Sequence, residues 1–411
     1  MQTYLVGGAV RDKLLGLTVK DRDWVVVGAT PEDLLAQGYI KVGKDFPVFL
    51  HPKTKEEYAL ARTETKTAKG YYGFVCDFGP EVTLEKDLER RDLTINAIAE
   101  TPEGKIIDPF NGRADLKSRT LRHVSQAFNE DPIRVLRVAR FMAKFFKRGF
   151  KVDHETKSLM EEIVNKGEIE ALVPERVWKE FHKALIEESP RAFFETLKSC
   201  GALKHIMEPL NKLWGIPQNI EYHPEVDTGL HTMMVIDEIC KLSTDPVVRF
   251  AALCHDFGKG LTPKEELPSH RGHEERGVQP IKDWCEQQKT PKAYMDLAVK
   301  TSRFHLLSHK AYELKASTIF KLFEKLDAIR RPQILADFLL ACEADAKGRG
   351  GMEGKDYPQA NYLAKLYKAA STLDTEPFLN QNLEGEKLGF LIKEARIKAI
   401  REAQTKLKKT V

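Results

Sequence analysis

The chain has no apolar run near the ~18 residues that a membrane-spanning helix needs, so no helical span is expected. It also lacks any C-x-x-C pair: Cys76, Cys200, Cys240, Cys254, Cys285 and Cys342 are scattered. That scatter argues against a disulfide frame and predicts reduced core thiols, as in a cytoplasmic protein. The opening MQTYLVGGAVRD has neither a basic segment nor a small-residue cleavage site, so no secretory leader is expected. Internal repeats and long low-complexity segments are missing too. Net charge is small at +4, which by itself argues only weakly for an anionic partner.

What is present is apolar content of 42% and charged content of 31% over 411 residues, enough for two to four domains with a sizeable core. Charge is unevenly distributed. The segment KEARIKAIREAQTKLKK, residues 393–409, holds seven Lys or Arg against two Glu, a surplus larger than that of the whole chain. Standing alone it reads as a solvated terminal helix.

The pattern changes near residue 130. Before it, TYLVGG and DWVVVG read as strands flanking a short helix, AVRDKLLG, and PVFLH, EYALAR and KIIDP predict further strands. After it, DPIRVLRVARFMAKFF, PERVWKEFHKALIEE, PRAFFETLKSCGAL and HTMMVIDEICKL space their apolar residues by three and four, as amphipathic helices do. The expected class is α+β, a mixed-sheet head followed by an all-helical remainder. Turn formers predict a linker at 211–229 and a second break at 346–359.

Chemistry concentrates in a few blocks. In KDRDWVVVG, Asp21 and Asp23 are two apart, and on a strand they would share one face with Arg22 turned away. Two such carboxylates can bridge Mg²⁺ for phosphoryl transfer. Upstream, Gly7 and Gly8 close a strand and open a helix, letting phosphates approach backbone N–H groups, and Arg11 follows one turn later. In EDPIRVLRVARF, Asp131 and Arg134 lie three apart, as on one helix face. There the carboxylate can accept from an exocyclic amine while the guanidinium donates to a ring nitrogen or carbonyl. Cytosine and adenine both fit that template; uracil and guanine offer a carbonyl where the amine should be, and a missing buried partner is costly. Arg137 and Arg140 continue the face toward phosphate.

LVGGAVRD followed by D-x-D resembles the head of the class II tRNA nucleotidyltransferase and bacterial poly(A) polymerase superfamily. RRDLTINAIA is similar to its ribose-binding motif, with Arg91 and Asp92 facing the nucleotide. EDPIRVLRVARF is similar to its base-reading motif, and PERVWKE to the motif that stabilises the site from behind. The resemblance implies a palm-like nucleotidyltransferase head at 1–128, a helical neck and body at 129–222, and nucleotide binding by Gly8, Arg11, Arg91, Asp92, Asp131, Arg134, Arg137 and Arg140. A third carboxylate stays open among Glu56, Glu57 and Glu64, and Glu175 and Glu180 read as structural.

Seven of twelve histidines fall between 223 and 309. The order His231, His255–Asp256, Asp345 resembles the HD metal-dependent phosphohydrolase domain, here at 223–350 with a basic helical tail at 351–411. That resemblance implies that these four residues hold a divalent metal, with His273 and His305 where many HD domains add ligands. His270 and His309 are less readily assigned as ligands. End to end the layout resembles the multifunctional bacterial CCA-adding enzymes. It implies addition of CCA to the 3′ end of tRNA from CTP and ATP with Mg²⁺, an HD activity on 2′,3′-cyclic phosphates, 2′-nucleotides and phosphomonoesters with Ni²⁺ or another divalent metal, a cytoplasmic location, no membrane, and a monomer or homodimer. A poly(A) polymerase shares the head without this HD arrangement. A nucleotide-signalling synthetase–hydrolase would place the HD domain first.

Overall fold

A computed structural model of the chain describes residues 1–42, 48–66, 74–379 and 385–408. It divides into two compact units, Met1–Ile206 and Met207–Val411.

The first unit opens with nine strands: β1 Gln2–Val6, β2 Asp23–Val27, β3 Ile40–Lys41, β4 Val48–Leu50, β5 Glu57–Leu60, β6 Arg62–Lys66, β7 Phe74–Phe78, β8 Ala99–Glu100 and β9 Ile106–Ile107. Seven form one sheet in the order β3-β4-β5-β2-β1-β8-β9, while β6 and β7 pair as a separate ribbon. β1 and β2 run antiparallel with Val6 opposite Asp23, and β2 and β5 run parallel with Asp23 opposite Glu57. Both faces of the sheet are covered. Val6 and Val25 pack with Leu88 and Ala97 on one side, and Val26, Phe49 and Leu60 with Leu34 on the other. Burying each such side chain is worth ~1.5–3 kcal/mol, which pins the register.

Helix α1, Gly8–Leu14, follows β1 directly. Gly7 between them has φ of 66°, and a Cβ there would meet Arg91 Nη1 at 2.9 Å, so only glycine makes this turn without strain. The unit then becomes helical, with α2 Ile133–Phe145, α3 Pro174–Ile186 and α4 Pro190–Ser199. The apolar face of α2 is buried, while Arg134 and Arg137 reach back to Arg90 and Asp92.

The second unit is helical among its described residues, and its helices include α5 Thr228–Leu242, α6 Pro246–Cys254, α7 Lys292–His309, α8 Pro332–Lys347, α9 Pro358–Ser371 and α10 Glu386–Lys408. Phe250, Ala251, Leu253 and Phe338 are fully buried between α5, α6, α7 and α8. The basic segment forms α10, where Lys393 pairs with Glu324 and Gln404 bonds the Leu314 carbonyl; Lys409 lies outside the described residues. The stretch expected as a linker is folded into this unit. Pro217 and Asp227 form a β-bridge, Asp227 caps α5 and Gln218 accepts from Lys259 at 2.6 Å.

Candidate functional sites

In the first unit a cavity of about 890 Å³ is lined by nine Lys or Arg and four Asp or Glu, a charge excess suited to a polyanion. Of the ten residues singled out in the first unit, Gly8, Arg11, Asp23, Arg91, Asp92, Asp131, Arg134, Arg137 and Arg140 line it. Asp21 is exposed and does not line it. The expectation that both aspartates sit on one strand is corrected, because β2 begins at Asp23 and Asp21 precedes it. The two still sense one another: burial raises the Asp23 carboxyl and Asp21 adds to the rise, while Arg91 opposes it. Neither has an ion-pair partner among the described residues, and a divalent cation would relieve the repulsion between them.

The strand register bears on the third carboxylate. Glu57 lies directly across from Asp23 and shares its face of the sheet. Glu56 accepts from Trp24 Nε1 at 3.0 Å and neighbours Arg22 at 3.8 Å, so it belongs to the opposite face. Glu64 is on β6, and its side chain lies outside the described residues. Asp21, Asp23 and Glu57 are not drawn together as tightly as the histidine groups of the second unit.

Behind the carboxylates runs a network of buried ion pairs. Arg11, only 4% exposed, donates to Asp12 and to Asn96 Oδ1 and lies over the Phe141 and Phe145 rings. Arg91 and Asp92 do not pair locally. Arg91 donates to Asp87 at 3.1 Å, and Asp92 accepts from Leu93 N, Asn96 Nδ2 and Arg137 Nε. Burial opposes the Asp92 charge, but Arg137 and Asn96 outweigh it and hold the carboxyl well below the usual range. Arg140 donates to Glu180 at 2.6 Å, which gives Glu180 of PERVWKE its structural place.

The expected helix-face pair is also corrected. Asp131 lies ahead of α2, in the turn before Pro132, where it accepts from Ile133 N. Arg134 is on the first turn, and its guanidinium donates to the carbonyls of Ala127 and Arg90 at 2.8 and 2.6 Å. The guanidinium that grips Asp131 is Arg176 of α3, through two bonds of 3.1 and 2.7 Å. Sequence spacing cannot show a partner 45 residues away.

In the second unit the chain delivers imidazoles from four places: His231 early in α5, His255 just after α6, His273 opening a short turn at His273–Arg276, and His305 near the end of α7. Asp256 follows His255 and Asp345 comes from α8. A Cβ on Gly258 would collide with the His273 carbonyl, so glycine lets the H-D turn approach that backbone closely. The six side chains form two adjoining groups, His231/His255/Asp345 and Asp256/His273/His305, all buried. His255 Nε2 is 3.1 Å from Asp256 and 3.6 Å from Asp345, and His273 Nε2 is 3.3 Å from Asp256.

The backs of these rings decide their tautomers. His255, His273 and His305 donate Nδ1–H to the carbonyls of Ala252, His270 and Ser302 at 2.7, 2.7 and 2.8 Å. Carbonyls only accept, so when the ring is neutral each Nε2 has its lone pair toward the centre, as metal ligation requires. His255 Nε2 and both Asp256 carboxylate oxygens are buried without a hydrogen bond, although Lys259 Nζ forms an ion pair with Oδ2 at 2.7 Å. Burial pushes His305 down to about 3, keeping it neutral; it also opposes charge on His255, where Asp256 and Asp345 prevail and raise it. Orphaned lone pairs facing ionised carboxylates fit a divalent cation. His270 faces Thr262 and the Pro217 carbonyl, away from the centre. His309 donates to Asp345 at 2.6 Å and meets the buried Tyr357. Lys259, Glu225 and Tyr357 carried no signal in composition or spacing.

The model of the poly A polymerase head domain matches residues 3–122, the probable RNA- and SrmB-binding site of polymerase A matches 149–213, and the HD domain matches 228–345. The multifunctional CCA protein of Methylococcus capsulatus is 56% identical over 98% of this chain and 95% of its own length. The chain belongs to the multifunctional CCA protein family. That of Nitrosococcus oceani is 57% identical over 98% of both chains. A solved CCA-adding enzyme in an apo form shares the fold, with a TM-score of 0.68 at 20% identity over 100% of this chain and 92% of its own. The head is accordingly a nucleotidyltransferase head, and an HD domain follows it. No helix among the described residues is long and apolar enough to cross a membrane.

Proposed function

We propose that the first unit adds CMP, CMP and then AMP to the 3′ end of tRNA from CTP and ATP, releasing pyrophosphate. One observation carries this reading: a single cavity joins Asp23 to a ring of arginines and to the Asp131 carboxylate. Asp21 and Asp23, with Glu57 beside them, are the residues that would hold Mg²⁺, which when bound supplies charge neutralisation at the α-phosphate. Arg11, Arg91, Arg137 and Arg140 neutralise and orient the triphosphate, and Gly8 lets it approach the backbone. Asp92 serves from behind by fixing Arg137. Asp131 accepts the exocyclic amine of cytosine or adenine and is oriented by Arg176, while Arg134 shapes that end of the cavity. Incubation of tRNA lacking CCA with each nucleotide separately tests the reading. Ordered CMP and AMP addition supports it, and AMP addition alone would favour a poly(A) polymerase, whose head domain is similar.

For the HD domain the proposed activity is hydrolysis of 2′,3′-cyclic phosphates, 2′-nucleotides and other phosphomonoesters. His231, His255, Asp256 and Asp345 would hold Ni²⁺ or another divalent metal, with His273 and His305 offering a second position beside Asp256; such a metal supplies an acidified water. Lys259 pairs with the Asp256 carboxylate and keeps it in place. The working parts are then the head at 1–128, neck and body at 129–222, HD domain at 223–350 and tail at 351–411, in a cytoplasmic protein acting on tRNA as a monomer or homodimer.

A further inference from the structure

Of the four imidazoles around the HD centre, three are backed by carbonyls close in sequence. His231 differs. Its Nδ1 lies 3.0 Å from Glu225 Oε1 as well as 3.2 Å from the Gly348 carbonyl. The Glu225 side chain is 3% exposed, and the same Oε1 accepts from His223 Nδ1 at 2.9 Å while Oε2 accepts from Gly350 N at 3.1 Å. A buried carboxylate thus stands within hydrogen-bond distance behind His231, whereas the nearest one behind His273, Glu274, is partly exposed and 3.7 Å away.

The backbone that presents Glu225 is strained. Val226 has φ of 60°, a region that a β-branched residue occupies at a cost. The turn is nevertheless closed by bonds on every side: Val226 N to His223 O, Gln218 N to Val226 O and Asp227 N to Glu225 O, at 2.9, 2.7 and 2.7 Å. Asp227 then caps α5 through Leu230 N, which puts His231 one turn into the helix. Strain of this kind persists where the surroundings over-determine it. Here they aim one carboxylate at one imidazole.

We infer that Glu225 is a positioning residue that fixes the tautomer and orientation of His231 and strengthens it as a metal ligand. The inference rests on the divalent-metal reading of the HD centre. A carbonyl fixes a tautomer, but an ionised carboxylate also draws on the Nδ1 proton and makes Nε2 the stronger donor. His231 Nε2 faces Asp345 Oδ1 at 3.2 Å, so its gain falls on the His231/His255/Asp345 group.

The test is calorimetric titration of the full chain, freed of metal by chelation, with Ni²⁺ alone. Four proteins are compared: the parent, His255→Ala, Glu225→Gln and His223→Ala. Glutamine keeps the shape and removes the charge, and the expected result is ten- to hundredfold weaker Ni²⁺ binding. The metal-free melting midpoint should move by no more than about 4 °C. His223→Ala leaves the carboxylate to His231 and should bind nearly as the parent does. Unchanged affinity in Glu225→Gln overturns the inference. So does a metal-free midpoint that collapses together with the affinity, and so does an equal loss in His223→Ala. If the parent binds no Ni²⁺, or His255→Ala binds it as the parent does, the metal reading itself fails and takes this inference with it. The His255→Ala arm keeps the two failures apart.

Discussion

Replacing Arg176 by alanine should cost little stability and much selectivity. Its two bonds to Asp131, at 3.1 and 2.7 Å, join side chains that are 28% and 19% exposed. Solvent reaches both side chains and screens the pair in part, leaving about 1 kcal/mol. In a unit of roughly 200 residues that is a fall of about 2–4 °C in the melting midpoint. The carboxylate keeps its bond from Ile133 N and regains rotamer freedom. A hydrogen bond to a charged group is worth about 1.5–3 kcal/mol. If the bond from Asp131 to the exocyclic amine loses its alignment, preference for CTP over UTP should fall by about tenfold to a hundredfold. The assay is competition between CTP and UTP for addition to tRNA lacking CCA, read as the ratio of kcat/KM values. Unchanged selectivity alongside the small melting shift would refute the assignment of Asp131. A midpoint lowered by ~10 °C or more would show that the pair is structural.

Glu57→Gln should lower nucleotide addition at least tenfold in single-turnover assays, whereas Glu56→Gln should change it little, because Glu56 holds Trp24 on the other face. His255→Ala should abolish divalent-dependent phosphatase activity and leave CCA addition near the parent rate, since each metal has its own ligands; loss of both activities in a folded variant would contradict this. Asp92→Asn should lower stability most at neutral pH. The Asp92 carboxyl is held below its ordinary value of 3.8, so its contribution is fully present above about pH 4 and is lost as pH falls through the lower folded value. Melting midpoints of variant and parent should therefore converge on acidification, and a constant gap from pH 6 to 2 would count against the ion pair.

The head strands and the helical remainder were legible because alternation and three-four spacing are local signals. Val25 and Val27 face one way with Asp23, and Trp24 and Val26 the other, a pattern written in five residues. Register across strands is not local, so spacing along the chain does not show that Glu57 lies opposite Asp23 while Glu56 turns to the other face. The Asp131–Arg134 spacing suggested a shared helix face, but Pro132 starts the helix after Asp131, and a partner on α3 takes the carboxylate instead. The histidines were legible through their order along the chain. Glu225 was not, since its segment is rich in turn formers and has no periodicity, and those same turn formers build the bend that aims it. Tyr357 was hidden for a like reason: it sits in the expected second break, yet it is buried against His309.

Addition of nucleotides to tRNA lacking CCA is the most direct measurement. With CTP and ATP together, the parent should add two CMP and one AMP and stop, releasing one pyrophosphate for each, and should add neither UMP nor GMP efficiently. Asp23→Ala, folded and still binding tRNA, should add none. Open-ended AMP addition by the parent, or ordinary CMP and AMP incorporation by the folded Asp23→Ala variant, would contradict the proposed reaction at its centre.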